Sequence, residues 1–225
     1  GFEVGLVDFE ALTVGGDVSG ALKRVTSRPH GAPAVYRGWM LGQERYEQLY
    51  QGLLEKGIRL VNNPEEYRFC HHLPVWYPTL AGHTPASIWI PTEGPVSLAR
   101  MQVELAGFGD RPVIVKDWVK SQKHYWNEAC FIPSASDPEA ILRVVTRFLE
   151  LQGAELTGGL VFREFVELAS VGTHPRSGMP LTCEYRIFFL NGEPFYEAPY
   201  WAEGSYPEER PPLQLLVQLA SRVKS

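Results

Sequence analysis

The chain has 225 residues, of which 44% are hydrophobic and 21% charged, and its net charge is −5. Six Trp, ten Tyr and eleven Phe would leave too much apolar surface in water for a disordered chain, so it folds. Acids and bases are interspersed, which argues against a general nucleic-acid binder but leaves room for a local basic patch.

This length suits one large domain or two small ones. No apolar run reaches the roughly 18 residues needed to span a bilayer, and the N-terminus has no basic region followed by an apolar stretch. No membrane contact and no signal peptide are therefore expected. The first residue is not Met, which fits a start inside a longer protein. Cys70, Cys130 and Cys183 are odd in number and widely spaced, the pattern of reduced thiols in a cytoplasmic protein. Cys70-His71-His72 has no second Cys/His cluster to complete a tetrahedral zinc site.

Residues 1–40 are Gly-rich, and the scattered apolar residues from Phe2 to Val14 suit a strand. From Leu41 to Lys56, residues Leu41, Tyr46, Leu49, Leu53 and Leu54 follow a helical spacing and predict an amphipathic helix. Gly57 supplies a left-handed cap, and Ile58 to Val61 follows as a short strand. Helix, Gly and buried strand is the rhythm of an α/β unit. Asn63-Pro64-Glu65-Glu66 starts the next helix with Pro at its first position. Residues 73–95 are rich in Pro and aromatics and read as irregular. Pro95 to Leu105 reads as a helix that turns Leu98, Met101 and Leu105 inward. Gly107-Phe108-Gly109-Asp110-Arg111-Pro112 punctuates the chain and is the expected boundary between an N-terminal α/β region, 1–108, and a second region, 109–225.

Val113 to Lys116 is the first strand of that region. Asp137-Pro138-Glu139 begins a helix whose buried stripe is expected to be Leu142, Val145, Phe148 and Leu149. Gly158-Gly159 breaks the chain before a strand from Leu160 to Glu167. The runs 183–189 and 195–200 flank Asn191-Gly192, a strong hairpin signal. Glu209-Arg210-Pro211-Pro212 starts a final helix that carries Leu213, Leu216, Leu219 and Val223 on one side.

Charged residues inside runs that otherwise want burial mark the candidate chemistry, because an unpaired charge on a buried strand is costly. Lys116 ends an apolar strand; it can donate to a phosphate as a point charge or snorkel to solvent. Lys120, Ser121, Lys123 and His124 form a basic segment without apolar period, either a loop that folds over phosphates or a solvated turn. It contains no Gly-rich cradle, so it is neither a P-loop nor a Rossmann fingerprint. On the next strand Arg163, Phe165 and Glu167 share one side, and Glu164 and Val166 the other. If that strand leaves its sheet here, its backbone can meet an adenine edge and Glu167 can accept ribose hydroxyls; the plain alternative is an exposed strand end. Glu184, Arg186 and Phe188 share a side, so Arg186 is either the partner of Glu184 or a forked donor to a phosphoryl group.

The order of these elements resembles the ATP-grasp superfamily, and within it a branch of bacterial and phage proteins of unknown substrate. That branch in turn resembles, distantly, a eukaryotic assembly factor of translation initiation factor two. The resemblance rests on the runs 116–126 (KDWVKSQKHYW), 162–168 (FREFVEL) and 184–189 (EYRIFF), with Tyr36-Arg37-Gly38-Trp39-Met40 and Thr84-Pro85 before them. It implies an α+β fold in which two lobes clamp ATP, preceded by the N-terminal α/β region. It implies that Lys116 holds the α/β-phosphates, that Lys120 and Ser121 sit in the phosphate loop, and that Glu164, Phe165 and Val166 line the adenine edge. Glu167 would hold the ribose, and Arg186 would stabilise the transferred phosphoryl group. Mg²⁺ would share the charge. The strands that usually carry the family's metal ligands do not follow, since Glu197, Glu203 and Glu208 match no motif; they are expected to be missing, and the metal ligands stay unassigned.

Three functions compete. One is an ATP-dependent ligase that activates a carboxylate as an acyl phosphate, with an unknown acceptor such as a protein or peptide. The second is an ATP-binding assembly or interaction factor without ligase chemistry. The third, nucleic-acid binding through the basic and aromatic residues 120–126, is the weakest given the net acidic charge.

Overall fold

The computed structural model describes residues 3–29, 31–176, 180–190, 192–208 and 210–223. The chain forms two compact units that divide between Val75 and Trp76. The punctuation at 107–112 lies inside the second unit, where it turns the chain from a helix end into a strand.

The first unit runs α1 (Phe9–Thr13), α2 (Val18–Ala21), β1 (Ala32–Ala34), α3 (Gln43–Glu55), β2 (Ile58–Leu60) and α4 (Pro64–His71). The strand expected within 2–14 is instead the helix α1. Asp8 accepts a hydrogen bond from the Ala11 N–H and caps it, and Leu12 carries its buried contact. β1 and β2 pair in parallel through the α3 crossover, which is an α/β unit. Gly57 ends α3 with φ +75°, and a Cβ there would strike the Arg28 carbonyl oxygen at 2.3 Å. At α4, Asn63 caps the Glu65 and Glu66 N–H groups while the Glu66 carboxylate accepts from the Asn63 N–H. The core joins Leu12, Leu22, Leu49, Leu53, Ile58 and Leu60 to the ring of Tyr46.

The segment expected to be irregular holds α5 (Leu73–Leu80) and β3 (Ser87–Pro91). Packing overrides the prolines there: Leu73 and Ile90 are buried, and Pro78 sits in the last turn of α5. Then come α6 (Leu98–Leu105), capped by Ser97, β4 (Val113–Lys116), α7 (Trp126–Ala129), β5 (Phe131–Ile132), α8 (Pro138–Gln152) and β6 (Gly159–Glu164). β7 (Ser170–Thr173) pairs with β8 (Pro180–Thr182), and β9 (Tyr185–Leu190) pairs with β10 (Glu193–Pro199). The last helix is α9 (Leu213–Ala220). Asn191 and Glu209, expected in the hairpin turn and at the final helix start, lie outside the described residues.

β3, β6, β4 and β5 form one antiparallel sheet in that order. Val113, Val115, Leu160, Phe162, Ile90 and Ile132 turn to one face and pack with Ile141, Val144, Val145 and Phe148 of α8. The stripe of α8 thus differs from expectation. Val145 and Phe148 are buried as read, Leu149 is only partly so, and Leu142 is 48% exposed. Ile141 and Val144, outside the expected stripe, are fully buried, and Ala140 and the polar Gln152 also belong to the buried face. Mixed helices and antiparallel sheets make this unit α+β.

Candidate functional site

The alternation along β4 and β6 sends a second set of side chains to the sheet face opposite α8. Residues paired across an antiparallel ladder share a face. The pairs Lys116–Val161, Ile114–Arg163, Ile114–Phe131, Ser87–Arg163 and Trp89–Val161 therefore place Lys116, Arg163, Ser87, Trp89, Ile114 and Phe131 together.

Lys116 is half-buried, and its ammonium donates to the Val119 carbonyl oxygen at 3.0 Å. Burial pushes its pKa down; the Asp117 carboxylate opposes this and the Arg163 charge adds to it. Arg163 is likewise half-buried. It donates to Thr84 Oγ1 at 2.6 Å and to Ser87 Oγ at 3.4 Å, and its guanidinium lies over the Trp76 ring at 5.7 Å. Among the described residues neither cation forms an ion pair. Cys130 is buried nearby, and burial raises its thiol pKa to about 11, so it stays protonated.

The segment after β4 is pinned by Asp117, which is fully buried. Its carboxylate accepts from the N–H groups of Val119, Lys120 and Thr157 and from Gln152 Nε2. Gln152 in turn accepts from Gln122 Nε2 at 2.5 Å. Lys120 and Ser121 thus sit in a short loop fixed at both ends. The Lys120 ammonium lies 3.7 Å from Glu155, an exposed pair that holds it weakly.

At the other end of β6 the ladder stops at Glu164, three residues short of the expected strand. The Glu164 N–H donates to Ala86 and the Phe165 N–H to Pro112, which precedes β4, so no partner strand continues beyond it. Glu164 accepts an ion pair from Arg111. Among the described residues the Val166 N–H makes no hydrogen bond, and Val166 and Glu167 are exposed. Phe165 packs edge-on against Phe131 and Trp126, which stack on each other 5.4 Å apart. This aromatic corner, beside free backbone, suits a flat ring.

Arg186 lies on the exposed side of β9, in a different sheet from Lys116, with its guanidinium 4.1 Å from the Tyr200 ring centroid. Glu184 accepts from Thr182 Oγ1 at 2.6 Å, not from Arg186. The geometry therefore gathers Lys116 with Lys120 and Ser121 after β4, and Glu164 to Glu167 at the end of β6, and holds Arg186 on a separate hairpin. Sequence reasoning missed Arg163, Phe131 and Asp117 as site residues. The signal for Arg163 was its place one residue before Glu164 on an apolar strand, on the side assigned to Phe165 and Glu167.

A cleft of about 630 Å³ edged by Pro91, Thr92, Glu93, Gly153 and Gly158 contains none of these residues. Among the described residues, no three His, Cys, Asp or Glu side chains group closely enough to hold a metal ion. No helix among them is long and apolar enough to cross a membrane.

No curated protein matches the chain. Among solved structures, a RimK domain protein ATP-grasp from Sphaerobacter thermophilus is similar at 15% identity with a TM-score of 0.48, covering 78% of this chain and 57% of that one. D-alanyl-alanine synthetase A from Vibrio cholerae is similar at 14% identity with a TM-score of 0.47, covering 79% of this chain and 53% of that one. The chain spans a little over half the length of each. Residues 106–225, more than half of the chain, match the family described as ATP-grasp domain, R-2-K clade family 3, and the chain belongs to that family.

Proposed function

We propose that the chain binds ATP in its second unit and acts as an ATP-dependent ligase that activates a carboxylate. The observation that carries this reading is the sheet face holding half-buried Lys116 and Arg163, neither ion-paired among the described residues, bordered by the aromatic corner at Phe165. A desolvated cation without a carboxylate partner is costly until an anion joins it. Lys116 holds the α/β-phosphates, using the ammonium donors not spent on Val119. Lys120 and Ser121 cover the phosphates from their loop. Glu164, Phe165 and Val166 line the adenine edge, with the unbonded Val166 N–H as donor, and Glu167 accepts the ribose hydroxyls. Arg186 reaches the transferred phosphoryl group from its hairpin. In this reading residues 109–225 are the ATP-grasp core, Mg²⁺ accompanies the phosphates, and the chain works in the cytoplasm with its three cysteines as free thiols.

When bound, ATP supplies the phosphoryl group: a carboxylate oxygen attacks the γ-phosphorus and ADP leaves, then an amine attacks the acyl carbon and phosphate leaves. The protein's share is to orient the chain of phosphates and stabilise its charge.

A second reading keeps ATP binding without ligase chemistry. It is favoured by exposed apolar side chains on β9, β10 and α9, among them Phe188, Leu190, Phe195, Leu213 and Leu215, which suit a protein interface.

Calorimetric titration with ATP and Mg²⁺, on wild type and Lys116→Ala, tests the shared claim. Binding by the wild type that the variant loses supports it; a wild type that binds no ATP with Mg²⁺ or Mn²⁺ refutes it. ADP release with hydroxylamine trapping of an acyl phosphate then separates ligase from interaction factor.

A further inference from the structure

We propose that Arg163 is a second anion-binding side chain of this site, placed to share the phosphate nearest the ribose with Lys116, which reaches on to the next. The inference rests on the ATP reading above and adds a residue and a position to it.

Position along β6 sets the order. The adenine and ribose end is the stretch from Glu164 to Glu167, where the ladder stops. Arg163 is the next residue back, and the level of Lys116 is Val161, two residues further. At about 3.3 Å per residue, the two cations stand roughly 6.6 Å apart along the strand direction. A nucleotide laid along this face with its ring in the aromatic corner meets Arg163 before Lys116.

The guanidinium is held from behind. Of its five N–H donors, one goes to Thr84 and one to Ser87, while the Trp76 ring covers one side. Those contacts fix its orientation and leave three donors, but hydroxyls and a ring do not cancel a charge. Lys116 on the same face adds repulsion rather than relief, and the pKa of each is lowered chiefly by burial. A residue whose task was to clamp the 84–87 segment would not need a charge beside another unpaired cation. An anion lying across both satisfies the pair, and Arg suits a phosphate because its fork can bond two oxygens at once.

The test is titration of AMP, ADP and ATP into wild type, Arg163→Gln and Lys116→Ala, with a thermal melt of each in the absence of nucleotide. Arg163→Gln is expected to weaken all three nucleotides by a similar factor, about tenfold or more, because the phosphate it loses is common to them. Lys116→Ala should weaken ADP and ATP more than AMP, because only the longer nucleotides carry the second phosphate it holds. Without nucleotide, Arg163→Gln should melt no lower than wild type. Unchanged nucleotide affinity in Arg163→Gln, with or without a lower melting point, overturns the inference and leaves the ATP reading standing. A wild type that binds no nucleotide overturns both. Should Arg163→Gln not fold, Arg163→Lys decides. It keeps the charge but not the fork, so a weaker AMP affinity supports the phosphate contact and an unchanged one rejects it.

Discussion

The two units bury polar groups in different ways. In the first, Tyr46 and Tyr67 stack 3.7 Å apart, and Tyr36 meets Tyr46 edge-on. Each phenol donates to a backbone carbonyl: Tyr46 to Asn62, Tyr67 to Leu41 and Tyr36 to Trp39. Burial pushes the Tyr46 pKa up to about 12, so this cluster is neutral and bonded within itself. In the second unit Lys116 and Arg163 are half-buried cations whose partners are neutral oxygens and a ring. A satisfied neutral cluster is explained by stability alone, whereas a pair of cations with no ion-pair partner among the described residues is what an anion would complete in the proposed reading. Asp117, in the same unit, sharpens the point: it is a buried carboxylate whose oxygens all find donors, which marks it as structural.

That contrast can be broken at three places. Asp117→Ala should have the largest effect, a loss of about 2–4 kcal/mol in urea unfolding, since it leaves Gln152 and the Thr157 N–H without their acceptor. It should also weaken ATP binding by loosening the loop that carries Lys120; a loss under about 0.5 kcal/mol would show that Asp117 does not hold the loop. Tyr46→Phe should cost about 1 kcal/mol, the net worth of its bond to Asn62, and leave ATP affinity unchanged. A changed affinity would mean that the tyrosine cluster is more than scaffold. Lys116→Met should have the smallest effect on stability and the opposite sign, raising the melting point near pH 7 by up to about 3 °C, the scale of 1 kcal/mol in a chain this size.

The pH dependence of that last gain has a definite sign. Burial holds the pKa of folded Lys116 below that of an unfolded lysine. Between the two values the unfolded chain binds more protons, so stability contributed at this position rises with pH. The penalty is fully present below the folded pKa and fades as pH climbs toward about 10.4. The gap between Lys116→Met and wild type in urea unfolding should therefore be wide near pH 7 and close above that value. A gap that is constant with pH would mean that the ammonium is not desolvated.

Local chemistry was legible in the sequence. Asn63 with Glu66, Asp137 with Pro138, and Gly57 mark helix ends because caps and positive φ depend on residues a few positions apart. The VIVK run showed β4 because four residues suffice for a strand with one charged end. Helix α5 and strand β3 stayed hidden, since Pro-rich aromatic sequence opposes regular structure until Leu73 and Ile90 find a core to enter. The stripe of α8 was misread at Leu142 because two overlapping apolar stripes fit the helical spacing, and packing on the sheet selects the one with Ile141 and Val144.

For the site, sequence alone determined which residues carry charge on apolar strands, and so named Lys116 and Glu164 to Glu167 as candidates. Only the tertiary structure decided which of those charges are balanced. Glu164 pairs with Arg111, 53 residues away, while Arg163 meets Thr84 and Ser87, 79 and 76 residues away, and no carboxylate among the described residues. Charge balance depends on ladder register between distant strands, a property of the folded sheet that no local pattern along the chain encodes.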